Sequence, residues 1–87
     1  MNDIRDGWKT QLASDIIRNG IGLELMDPSS FVVAEVFRCD SSKKAIVTTF
    51  NNDIPLEIFD HYYQEALIRL DPFEDGSSLV PREINSK

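Results

Sequence analysis

Hydrophobic and polar positions follow two rhythms along this chain. Between residues 4 and 19 the apolar side chains of Ile4, Trp8, Leu12, Ile16 and Ile17 recur at steps of four, four, four and one, with Lys9, Asp15 and Arg18 off the stripe. That spacing predicts an amphipathic helix. Asn2 or Asp3 can cap it, and Asn19-Gly20 supplies the left-handed residue that often ends a helix. Gly7 is its weak position, costing about 1 kcal/mol relative to alanine in a helix interior.

The second rhythm has a period of two. Residues 21–26, 31–39 and 44–50 are rich in Val, Ile, Phe and Thr, and Asp27-Pro28-Ser29-Ser30 and Asp40-Ser41-Ser42-Lys43 separate them. Connections this short allow only antiparallel hairpins, so these segments predict a three-stranded meander. Asp53 and Pro55 then mark a helix entry, and Leu56, Phe59, Tyr63, Ala66, Leu67 and Leu70 trace its buried face, with Asp71-Pro72 as the stop. The expected fold is α+β in the order α-β-β-β-α, with two helices packed on one face of the three-stranded antiparallel meander. Residues 1–70 form the single domain in this reading, and 71–87, with two prolines and no periodicity, a disordered, flexible acidic tail.

Symmetrical hairpins would place Met26 opposite Phe31 and Cys39 opposite Lys44. One sheet face then collects Ile21, Leu23, Leu25, Val32, Ala34, Val36, Val47 and Thr49. It carries no charge and is assigned to the helices. The other face holds Glu24 and Glu35 but also Phe31, Val33, Phe37, Ile46 and Phe50, more apolar surface than a monomer usually shows to water. Those five residues form the candidate interface of an isologous homodimer. Two plainer readings remain beside it: the tail, through Phe73 and Leu79, covers the patch, or a one-residue slip exchanges the faces.

Composition narrows the function. The chain has 87 residues and 15 acidic against nine basic side chains, a net charge of −6. It is too short for a two-domain enzyme, and no run of about 18 apolar residues could span a bilayer. The N-terminus does not read as a secretory signal, and the lone Cys39 cannot form an internal disulfide, so a cytoplasmic location is expected and no membrane partner. His61, between Glu57 and Glu65 at four-residue spacing, reads as a solvated side chain with charged neighbours rather than an oriented base. Glu24 and Glu35, near one another diagonally on the second face, read as charges around an interface rather than an acid–base pair. Cys39 beside Lys43 and Lys44 reads as an ordinary surface thiol. One Cys and one His cannot furnish a zinc set, and no nucleotide fingerprint is present, so no catalytic residue, metal or cofactor is assigned.

The order helix, three antiparallel strands, helix is similar to that of the double-stranded-RNA-binding domain. That family grips phosphates with lysines at the start of its second helix, whereas the matching stretch here is Asp53-Ile54-Pro55-Leu56-Glu57-Ile58-Phe59-Asp60. Its acidity excludes the phosphate contacts that such binding requires, so no nucleic-acid partner is expected. The expected function is a small acidic protein-interaction module without catalytic activity, self-associating through the apolar sheet face. The alternative is an acidic inhibitor or immunity-type protein that presents Glu57, Asp60 and Glu65 to a basic enzyme such as a nuclease. A small-ligand binder ranks below both, because no loop is long enough to wall a pocket.

Overall fold

Asp6 and Gly7 decide the architecture of the N-terminal region. Both have positive φ, 53° and 87°, the backbone of a two-residue type I′ turn, which suits the twist of paired strands and favours an Asp-Gly pair. The turn joins β1 (Asn2–Arg5) to β2 (Trp8–Asp15) as an antiparallel hairpin. The helix predicted over 4–19 therefore does not form. Its evidence was ambiguous because a step of four is also a multiple of two: Trp8, Thr10, Leu12 and Ser14 share one face of β2 as readily as they would share a helical stripe.

The computed structural model describes residues 2–50 and 53–80. β3 (Gly20–Met26), β4 (Val32–Cys39) and β5 (Lys44–Thr49) follow where their β-branched runs placed them. With β1 and β2 they complete a five-stranded antiparallel sheet in the order β1-β2-β3-β4-β5. α1 (Leu56–Arg69) is the one helix among the described residues. The fold is thus a five-stranded meander carrying one helix, not two helices on three strands.

Register decides which side chains meet. Cys39 does oppose Lys44, but Leu23 opposes Val36, two residues beyond the symmetrical position. A shift of two keeps each side chain on its expected face. Near the Asp27 loop a bulge breaks that rule: Met26 pairs with Val32 while Leu25 pairs with Ala34, leaving Val33 as the extra residue. Val33 is consequently buried in the helix-side core, and Val32 stands opposite Met26.

That core unites Leu23, Leu25, Ala34 and Val36 of the sheet with Ile58, Tyr62, Ala66 and Leu70, spaced by four along one helix face. The face is rotated from the predicted one. Tyr62 rather than Tyr63 points inward, and Leu56 is exposed. Thr10, fully buried on β2, donates its hydroxyl to the Glu65 carboxylate at 2.9 Å and so ties the sheet to the helix.

Residues 71–80 are part of the folded unit rather than a disordered tail. Phe73 and Leu79 are buried in the same core. Arg38 donates to the carbonyls of Leu70 and Pro72 at 2.9 and 3.0 Å, Asp40 pairs with Arg38 and accepts the Glu74 N–H at 2.9 Å, and Asp71 accepts the Leu79 N–H at 2.9 Å. Phe73 and Leu79 thus cover the helix side of the sheet, not the opposite face. Residues 81–87 of the predicted tail lie outside the described residues.

Candidate interaction surfaces

The sheet face away from the helix is not the open apolar plane that its sequence implied. Arg18, at the end of the β2–β3 turn, folds back over it. Its guanidinium lies 4.0 Å from the centroid of the Phe37 ring and donates two bonds to Glu35, at 3.1 and 2.9 Å, while its Nε and backbone N–H bond to Asp15. The Arg18 N–H, followed by the guanidinium, holds the Asp15 carboxyl below the ordinary carboxylate range. Phe37 keeps only 4% of its surface exposed. Glu24 and Glu35 stand directly opposite in the register rather than diagonally, and each has its own donor: the Gln11 amide at 2.7 Å for Glu24, Arg18 for Glu35. Each carboxylate is thus held by a donor of its own across the β3–β4 pair.

Of the five candidate interface residues, Val33 is in the core and Phe37 lies beneath Arg18. Phe31, Ile46 and Phe50 remain exposed. Ile46 lies on β5 and Phe50 just after it; β5 is the outer strand of the sheet among the described residues, and most of its residues are exposed, including Val47 at 52%. The helix contacts β1 at the opposite edge, while Ile46 and Val47 of β5 stay about half exposed. The candidate interface thus contracts to an apolar strip along an edge strand whose outer side has no neighbour among the described residues.

A second apolar feature escaped the sequence reading because Ile16 and Ile17 fitted a helical stripe. They occupy the tip of the β2–β3 hairpin and are 95% and 96% exposed. The turn is held by the Asp15 carboxylate on the Arg18 N–H, by Asn19 N–H to Ile16 C=O, and by Asn19 at φ 58°. Ile16 also borders a cleft of about 320 Å³ that includes Asp15, Arg38, Asp40 and Glu74.

The three acids proposed as a partner surface are not equivalent. Glu65 faces Thr10 and accepts from Arg69 at 2.9 Å, Glu57 lies 3.7 Å from Arg5, and Asp60 is exposed. His61 is also exposed. Cys39 carries a signal that composition hid. Its sulfur lies 3.4 Å from the Ser41 hydroxyl, and hydrogen bonds from Ser41 and Ser42 favour the thiolate and lower its pKa to about 7. Alkylation of Cys39 should therefore reach half its maximal rate near pH 7, being slow below that pH where the thiol is protonated. Ser41→Ala should move the midpoint upward; a wild-type midpoint above pH 8 would contradict the assignment.

No family model, characterised protein or solved structure matches this chain. Among the described residues no helix is long and apolar enough to cross a membrane, and no three His, Cys, Asp or Glu side chains cluster as metal ligands.

Proposed function

We propose that this protein is an interaction module that acts by binding another polypeptide through the β5 edge and the apolar residues beside it. One observation carries the reading: among the described residues the outer edge of β5 has no neighbouring strand, and the strand exposes Ile46 on one face and Val47 on the other, in a sheet whose other edge is protected. β1 at that other edge is four residues long, bears a register irregularity between Asp3 and Arg5, and is approached by the helix. Shortness, charge and bulges are the usual means of blunting an edge, and β5 has none of them between Ala45 and Thr49. An exposed edge of this kind gives affinity through main-chain hydrogen bonds and specificity through alternate side chains.

The hairpin tip supports a second contact with a different polypeptide. Ile16 and Ile17 do not enter the core, and each would bring roughly 1.5–3 kcal/mol if fully buried in a partner's pocket.

The test is affinity capture in the native host, with the tagged protein expressed beside an untagged copy. Wild type should retain a specific polypeptide, either its own copy or another chain. Ile46→Asp with Phe50→Asp should lose chains bound at the edge, and Ile16→Ser with Ile17→Ser those bound at the tip, all variants keeping the wild-type circular dichroism. Retention of the same chains by both double variants, or of none by wild type, would end this reading.

A further inference from the structure

We propose that the occupant of the β5 edge is a second copy of this chain, paired antiparallel, β5 to β5, about a two-fold axis between the two Val47 residues. The inference rests on the edge-binding reading above and commits it to one partner.

The backbone geometry comes first. Phe50 donates its N–H to the Val33 carbonyl at 3.0 Å, and the β4–β5 register continues as Ala34–Thr49, Glu35–Thr48, Val36–Val47, Phe37–Ile46 and Arg38–Ala45. In an antiparallel ladder, hydrogen-bonded and non-hydrogen-bonded pairs alternate. Phe50, Thr48, Ile46 and Lys44 therefore turn their N–H and C=O groups toward β4. Ala45, Val47 and Thr49 turn theirs outward, to an edge where the described residues provide no further strand.

This outward set is its own complement. With the axis at Val47, Val47 pairs with Val47 of the partner copy, and Ala45 and Thr49 pair with Thr49 and Ala45. Every outward donor meets an outward acceptor, with none left over at either end. Charge agrees with the register. From Ala45 to Phe50 the strand has no charged residue, so no like charges meet, and Lys44 falls opposite Phe50 of the partner copy, an arrangement that favours a cation over an aromatic ring. Ile46 opposes Thr48 of the partner copy, joining the two exposed strips across the axis.

Closure also fits a pair. Two-fold pairing uses both β5 edges and leaves only the two β1 edges, whose irregularity and charged Asp3 and Arg5 resist further addition. Growth stops at a ten-stranded dimer sheet.

Because Val47 sits opposite itself, charge at this position gives a test independent of folding damage. Sedimentation equilibrium should show wild type as a dimer in the micromolar range. Val47→Lys and Val47→Glu should each lose the dimer while keeping the wild-type circular dichroism, since like charges would meet on the axis. An equimolar mixture of the two variants should restore it, because Lys now meets Glu. Monomeric wild type, variants that remain dimeric, or a mixture that stays monomeric would each overturn the proposal. If wild type is monomeric yet captures another chain that Ile46→Asp with Phe50→Asp loses, self-pairing falls while edge binding stands; if no such capture occurs, both fall.

Discussion

Tyr62→Ala is expected to lower stability by about 3–5 kcal/mol, the range for removing a buried aromatic side chain. For a domain of this size that is a large part of a total of order 5–15 kcal/mol, so the variant should be partly unfolded without denaturant. Tyr62 is fully buried at the centre of the helix–sheet core, stands edge-on to Phe59 with ring centroids 6.2 Å apart, and donates its hydroxyl to the Leu23 carbonyl at 2.5 Å. Burial raises its phenol pKa above the ordinary value, so the hydroxyl stays protonated and remains a donor. Tyr62→Phe separates the two contributions: it keeps the ring and loses one hydrogen bond, about 1 kcal/mol. Urea midpoints of the three proteins check this. Equal losses from Ala and Phe would show that the hydrogen bond, not the packed ring, holds the helix to the sheet.

The second large effect is expected at Gly20→Ala. A methyl group on Gly20 would come within 2.1 Å of the Arg38 carbonyl oxygen and 2.6 Å of the Phe37 ring. The oxygen belongs to the backbone of the neighbouring strand, and the ring is held from above by the Arg18 guanidinium, so neither can yield alone. Overpacking of this sort typically costs about 1–3 kcal/mol and more where the backbone must move; about 3 kcal/mol or more is expected, read from thermal or urea unfolding. Four residues away, Ile16→Ala should leave stability nearly unchanged, because its side chain is almost wholly exposed. A tolerated Gly20→Ala would mean that the β2–β3 hairpin and β4 are not closely packed at this end.

These two positions also show what could be read from the sequence. The β3, β4 and β5 segments were legible because β-branched runs between turn-forming residues have few other uses, and the helix followed from Pro55 and Asp71-Pro72. The N-terminal hairpin was missed because the step of four between Ile4, Trp8, Leu12 and Ile16 suits both periodicities. The Asp6-Gly7 pair carries the deciding signal, whereas the helical pattern registers only Gly7, as its weak position. Tyr62 and Tyr63 are adjacent, and the pattern alone did not say which turns inward.

The surface was legible only in part. Ile46 and Phe50 are exposed as parity along β5 suggests. Phe31 is exposed for another reason: it precedes β4, beyond the bulge that reverses parity, in the loop after Asp27. Val33 was lost to a bulge, which changes parity locally and has no strong mark in this sequence. Phe37 was misplaced for another reason: its cover is a side chain, Arg18, that reaches back from a turn which the helical reading did not contain. The buried Phe73 and Leu79 were hidden by sparse apolar content, since two residues anchored by Arg38, Asp40 and Asp71 need no periodicity.

The fastening of residues 71–80 also bears on how the chain folds as it is made. Each strand of the meander pairs with its neighbour in sequence, so the hairpins close over short loops and can assemble early. The apolar cluster can be completed only after Phe73 and Leu79, which belong to it and follow the helix in sequence, have been made. A nascent chain stopped near residue 70 would hold a nearly complete sheet and helix but lack the lid over their shared core. That species would expose the apolar surface that makes partly folded chains associate. The Arg38–Asp40 pair, which ends β4 long before the lid emerges, is therefore a receptor waiting for the last part of its own chain.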